Sequence, residues 1–288
     1  YADLMKKNQL DLYEKIEIPL LKVLASMEIE GINLDTKFLN NLSAKTNQKL
    51  IKIQKDIFEI SGEEFNISSP KQLGEILFEK MKVSKNPKKT KTGQYSTAED
   101  ILSNLAKEND FVKLILKYRS VSKLLNTYID SLPKQISKST NRIHTNFLQT
   151  VAATGRLSSV NPNLQNIPIR TESGKEIRKA FIPRNKDFFL MAADYSQIEL
   201  RVIAALSKED NMIRSFEKNE DIHTSTAATV FNIPIEKVTK QQRSHAKIVN
   251  FGIIYGVSAF GLSNQTDLNI KESKNLIETY YEKYPKLK

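Results

Sequence analysis

Pro133 separates two kinds of residue pattern, and that change limits the possible folds more than any single motif does. Before it the apolar positions repeat with a helical period. Asp35 stands where it can cap a long amphipathic helix carrying Phe38, Leu39, Leu42, Leu50, Ile53 and Ile57. Residues 14–31 read as an earlier helix that turns at Gly31. Ser69-Pro70 predicts a further start, with proline in the first turn. Residues 85–95 read as a loop, and Ser96-x-x-Glu99 as a capping box before Ile101, Leu102 and Leu105. Residues 110–132 predict a longer helix that Pro133 stops. After Pro133, residues 142–151 interleave polar and apolar side chains, as in a strand with one wet face. Residues 152–171 read as irregular and polar. Residues 177–194 suggest strands, the last being the buried apolar run 188–193 that delivers Asp194 at its end. Helices are expected again at about 196–206, 209–217, 223–231, 239–255 and 270–283. A helical module, a sheet and a second helical module predict an α+β fold.

Charge narrows the class of partner. The net charge is +11, and residues 131–171 hold no Asp or Glu while carrying Lys134, Lys138, Arg142, His144, Arg156 and Arg170. A second block, residues 80–93, has six lysines and no acid. Such surfaces attract phosphate backbones by counterion release, although a lysine block can equally be a solvated face. The absence of cysteine excludes disulfides and thiolate metal sites and suits a reducing compartment. No stretch approaches the length of a membrane span, and no secretory signal is visible. The chain starts at Tyr1 and ends at Lys288 inside an amphipathic pattern, and so reads as part of a longer protein.

Three constellations carry chemistry. In DYSQIELR, Asp194 suits an oxygen ligand for Mg²⁺ or, equally, a cap for the next helix. In QQRSHAKIVNFGIIYG, Arg243, Lys247, Phe251 and Tyr255 recur every fourth residue and form one slowly drifting helical stripe. Cations on such a stripe can hold a triphosphate, and rings can stack on a base or sugar. An aromatic stripe can also be core, but core rarely accepts unpaired Arg and Lys. In TGRLSSVNPNLQNIP, Arg156, Asn163 and Gln165 are of the kind that contacts phosphates and minor-groove acceptors, or that builds a polar loop.

Taken in order, AATGRLSSVNPNLQNIPIR, AADYSQIELRVIAALS, DIHTSTA and RSHAKIVNFGIIYG closely resemble the polymerase part of bacterial DNA polymerase I, the A-family DNA polymerases. NISSPKQL, TKTGQYST and KYRSVSKLLNTYID extend the resemblance through the N-terminal half, so that it covers essentially the whole chain. It implies right-hand architecture: a remnant at 1–15 after an exonuclease domain, a palm-entry helix at 16–32, a thumb at 33–138, part of the palm at 139–196 and truncated fingers at 197–288. It implies DNA-templated transfer of dNTPs to a primer 3′-hydroxyl, in replication and repair. Two Mg²⁺ ions would serve as cofactors, with Asp194 and the carbonyl of Tyr195 as ligands. Glu199 resembles the steric gate that leaves no room for a ribose 2′-hydroxyl. Arg243 and Lys247 resemble the triphosphate-binding pair, Lys247 also being the proton donor to pyrophosphate. Gln197 and His223 resemble further nucleotide contacts. Phe251 sits where the family sets its rejection of dideoxy sugars, and Tyr255 where the templating base enters. Arg156, Asn163, Gln165 and Arg170 would hold the duplex, with Arg119 and Lys123 gripping it from the thumb. The implied partners are primer–template DNA and dNTPs, and the implied protein is a cytoplasmic, nucleoid-associated bacterial monomer with no membrane contact.

Two departures qualify the resemblance. Ser244 stands where many relatives carry a second basic residue. The family's His-Asp-Glu motif, source of the second metal-binding aspartate, is absent from these 288 residues, so the chain alone is expected to be inactive. Two other readings are a phage-type RNA polymerase, which is not expected to carry Glu199 or the TGRLSS segment, and a noncatalytic primer–template binding module.

Overall fold

The computed structural model describes every residue except Arg170 and Asp267, and Ile254 by its backbone alone. The fold is α+β, helix-rich with two small antiparallel ladders. The chain divides into two compact units, residues 1–191 and 192–288.

In the first unit, short helical segments and a π-turn at Tyr13–Glu17 lead into α1, Ile18–Glu30. Gly31 ends it at φ 59°. A β-carbon there would meet the Ile143 carbonyl oxygen at 2.5 Å, so glycine is what lets the chain turn against Ile143. β1, Asn33–Leu34, follows, and then α2, Thr36–Ser61. Asp35 caps α2 by accepting from the Phe38 N–H at 2.9 Å, as its position predicts. α3, Pro70–Glu75, is capped by Ser69. α4, Glu99–Leu105, and α5, Asp110–Leu124, complete a helical body. Leu73, Leu77, Leu102, Val112 and Ile115, each fully buried, form its core with Ile53 and Ile57 of α2.

The capping box expected at Ser96 is not formed. α4 begins two residues later, with Ala98 as N-cap and no side-chain cap. Thr97 just before it is instead tied to Arg119, which donates to the Thr97 carbonyl at 2.6 Å and to its hydroxyl at 3.1 Å.

Beyond Pro133 come one hairpin-like ladder and one strand that pairs back to β1. β2, Asn146–Leu148, pairs antiparallel with β3, Ser158–Val160, in the register Asn146↔Val160 and Leu148↔Ser158. The segment expected to be irregular therefore contains a strand. α6, Glu172–Arg178, is capped by Thr171, and β4, Phe181–Ile182, pairs with β1. The strands expected over 177–194 reduce to β4. The apolar run 188–193 forms no strand, and Phe189 is 82% and Met191 80% exposed. A strand needs neighbouring N–H and C=O groups to complete its ladder, and among the described residues none pairs with this run. Apolar composition alone could not supply that partner.

The second unit is helical: α7, Ile198–Ser207; α8, Asp210–Glu217; α9, Ile222–Phe231; α10, Lys240–Ile254; α11, Ala259–Ser263; α12, Ile270–Lys283. The expected helices agree with these to within two residues at nearly every end. α10 and α12 each begin with a complete capping box, Thr239 with Gln242 and Asn269 with Glu272. Leu200, Ala204, Met212, Ile222, Val249, Leu262 and Tyr280 make the core. No described helix is long and apolar enough to cross a membrane.

Candidate active site

α10 presents the predicted stripe. Arg243, Lys247 and Phe251 lie on the helix, and Tyr255 is its C-cap residue. α9 packs beside it. Asp221, the N-cap of α9, accepts from the Thr224 N–H at 2.8 Å. The same carboxylate takes a two-point grip from Arg243, Nε at 3.1 Å and Nη2 at 2.7 Å. Burial alone would raise the Asp221 pKa, but the bonds from Arg243 and Thr224 outweigh it and hold the carboxyl at about 2. The pair fixes the Arg243 guanidinium at the end of α9, where the helix N-terminus also favours anions.

His223 is the second residue of α9, in its first turn, and is buried. Its ring lies 5.6 Å from that of Phe251. Burial pushes the imidazole below its usual range. The Asp221 carboxylate pulls the other way, and the Arg243 and Lys247 cations deepen the depression. The Tyr255 hydroxyl reaches 56 residues back along the chain and donates to Glu199 Oε1 at 3.0 Å. Thus α7, α9 and α10 bring Glu199, His223, Arg243, Lys247, Phe251 and Tyr255 into one unit.

Asp194 and Tyr195 lie on the exposed coil before α7 rather than at the end of a strand. Gln197 is the α7 N-cap residue, in the left-handed region at φ 55°. An Asp carboxylate and a backbone carbonyl are hard oxygen donors of the type Mg²⁺ takes, but two donors do not fix an ion. Among the described residues no group of three or more His, Cys, Asp or Glu side chains gathers into a metal site. The ligand chemistry fits; the ligand set on this chain is partial.

The first unit holds the remaining predicted positions. Arg156 is exposed on the segment before β3. Asn163 Oδ1 accepts from the N–H groups of Gln165 and Asn166 at 3.1 and 3.2 Å, and Gln165 Oε1 accepts from the Ser159 N–H at 3.1 Å. Tyr128 and Arg178 hold the same segment through the carbonyls of Asn166 and Ile167. It is a built turn rather than a slack loop. Lys123 and Asn163 both line an open cleft of about 800 Å³. Arg119 is drawn inward to Thr97, and burial lowers its pKa. Arg170 lies outside the described residues.

The family model of DNA polymerase family A matches residues 36–288. The chain belongs to DNA polymerase family A. Its A-family relatives include DNA polymerase I of Lactococcus lactis subsp. lactis (strain IL1403), 49% identical over 288 residues, all of this chain and 32% of that protein. DNA polymerase I of Geobacillus stearothermophilus is 47% identical over 287 residues, 99% of this chain and 32% of the relative. The chain thus spans about a third of the length of the curated relatives it matches. Among solved structures, the POL domain of Pol1 from M. smegmatis in complex with DNA primer-template and dNTP matches with a TM-score of 0.90. That pair is 37% identical, covering 99% of this chain and 50% of that one.

Sequence reasoning did not single out Asp221 or Asn250, although both lie in segments that carry the family resemblance, DIHTSTA and RSHAKIVNFGIIYG. Asp221 carried a readable signal, an Asp three residues ahead of a Thr at a helix start. Asn250 is flanked by Ile248, Val249 and Phe251, and a polar residue inside an apolar helical run asks for a buried partner.

Proposed function

We propose that this chain forms the nucleotide-selecting part of a DNA-templated DNA polymerase that adds dNTPs to a primer 3′-hydroxyl. One observation carries the reading: the Tyr255–Glu199 hydrogen bond. It ties the ring at the end of the cationic stripe to the carboxylate in the position of the sugar gate. A nucleotide whose triphosphate lay along Arg243 and Lys247 would run its sugar toward Phe251 and Glu199. A ribose 2′-hydroxyl would then meet Glu199, and discrimination would come from a clash rather than from an added attraction. Arg243 stays oriented by Asp221 until phosphate oxygens compete for its donors, and Lys247 can give a proton to the departing pyrophosphate. His223 would add a phosphate contact beside Phe251. The polar turn around Asn163 and Gln165, with Arg156, Arg170 and Lys123, would hold primer–template DNA through backbone and minor-groove contacts; Arg119, held by Thr97, would reach it only on giving up those bonds.

Asp194 and the Tyr195 carbonyl would supply part of the ligand set for the Mg²⁺ ions. When bound, those ions acidify the attacking hydroxyl and steady the leaving group. With one carboxylate of the pair, the 288 residues by themselves should incorporate nothing.

The test is template-directed incorporation by the full-length protein that carries this sequence, comparing dNTP with rNTP for wild type and Glu199→Ala. Strong dNTP preference that relaxes in the variant is expected. Equal use of both sugars by the wild type would remove the gate. No incorporation, together with tight primer–template binding, would favour a noncatalytic DNA-binding module.

A further inference from the structure

Behind the face that carries Arg243 and Phe251, the second unit holds a closed polar network. The Asn250 side chain is fully buried. Its Nδ2 donates to His223 Nδ1 at 3.1 Å and to Thr226 Oγ1 at 3.1 Å. Its Oδ1 accepts from the Tyr280 hydroxyl at 2.9 Å. Thr226 Oγ1 also receives the Tyr284 hydroxyl at 3.4 Å. Asn250, Thr226, Tyr280 and Tyr284 belong to α9, α10 and α12 or its C-terminal edge, and all are buried.

An amide nitrogen can only donate. With Asn250 in this orientation, His223 Nδ1 must present a lone pair, and the ring proton must sit on Nε2. We infer that Asn250 is a positioning residue that holds His223 as the Nε2–H tautomer, so that His223 meets the nucleotide phosphates as a neutral hydrogen-bond donor. This rests on the nucleotide reading of the site and adds to it the species His223 presents. In this orientation the amide oxygen has the Tyr280 hydroxyl as its donor, with Thr226 Oγ1 a second contact at 3.3 Å. The opposite orientation of the amide would require a proton on Nδ1 instead, and the two are separable by experiment. A neutral donor also makes chemical sense beside two cations: Arg243 and Lys247 supply the charge, and a third cation packed against them would be repelled.

The chain has three histidines, His144, His223 and His245, so long-range ¹⁵N–¹H correlation spectra of the protein can be assigned with His223→Gln. In the wild type, His223 should show a pyridine-like Nδ1 and a pyrrole-like Nε2. In Asn250→Asp, which keeps the size and the acceptor for Tyr280, the carboxylate should draw a proton onto Nδ1. Kinetics on the full-length polymerase give a second arm. His223→Ala should raise the dNTP KM about tenfold with a smaller change in kcat. Adding Asn250→Ser to His223→Ala should change KM by less than about twofold, because the asparagine acts through the histidine. A pyrrole-like Nδ1 in the wild type, unchanged nitrogens in Asn250→Asp, or fully additive KM effects would each overturn the assignment. If the tautomer is as inferred but His223→Ala leaves KM unchanged, the nucleotide reading of this site falls and the tautomer stands.

Discussion

The helical body around Leu73 and Ile115 and the one around Asn250 are built on different interiors. The first is apolar nearly throughout: Leu73, Leu77, Leu102, Val112 and Ile115 fill it, and Arg119, drawn inward at its side, donates to Thr97. The second has a comparable apolar set but also encloses Asn250, Thr226, His223 and Glu209. Glu209 accepts from the N–H groups of Asn211 and Lys286. Buried polar groups cost more when unmade than they return when made, so they demand one arrangement where an apolar core tolerates several. The first body is suited to be a scaffold. The second holds particular side chains in particular orientations, and these are the ones beside the proposed nucleotide site.

The largest effect should come from the apolar body. Leu77→Ala is expected to lower unfolding stability by about 2–5 kcal/mol through the cavity it leaves. In the full-length protein the dNTP KM per folded molecule should stay unchanged. A shift in sugar selectivity would break the contrast, and chemical denaturation paired with steady-state kinetics would show it.

Arg243→Ala should do the reverse. The Arg243–Asp221 pair is more than a third exposed, and such pairs add little to stability. Losing the proposed charge-assisted phosphate contact, of about 1.5–3 kcal/mol, should raise the dNTP KM roughly ten- to hundredfold. A large drop in melting temperature with unchanged KM would place Arg243 in the structure rather than in the site.

Thr226→Val keeps shape and removes one hydroxyl from the network. About 1–3 kcal/mol of stability should be lost, because Asn250 and Tyr284 each lose a partner. Unlike Leu77→Ala, this change should also weaken nucleotide binding. Loss of stability alone would make the network mere packing.

The smallest effect is a pH dependence. Asp221 is held at about 2 in the folded chain, below its usual 3.8. Its contribution is therefore present above about pH 4 and is lost as pH falls toward 2. Exposure of the pair keeps the change small. The urea midpoint should fall slightly more between pH 5 and pH 2.5 in wild type than in Asp221→Asn, which keeps the cap and lacks the titration.

Helix starts at Asp35 and Ser69 were legible because a cap and the N–H it serves lie within three residues. The stripe of Arg243, Lys247, Phe251 and Tyr255 was legible for the same reason: helical geometry places every fourth residue on one side. Ser96 misled because Thr97, beside it, is taken up by Arg119, 22 residues on. The run 188–193 misled because hydrophobicity says that a segment wants burial, not which strand will pair with it. The Tyr255–Glu199 bond, the grip of Asp221 on Arg243 and the Asn250–His223 contact join residues 56, 22 and 27 apart. Local pattern fixes what a turn of chain can form by itself. Which distant donor meets which acceptor depended on how α7, α9, α10 and α12 pack, since a hydrogen bond needs its two atoms within about 3 Å and no periodicity carries that distance.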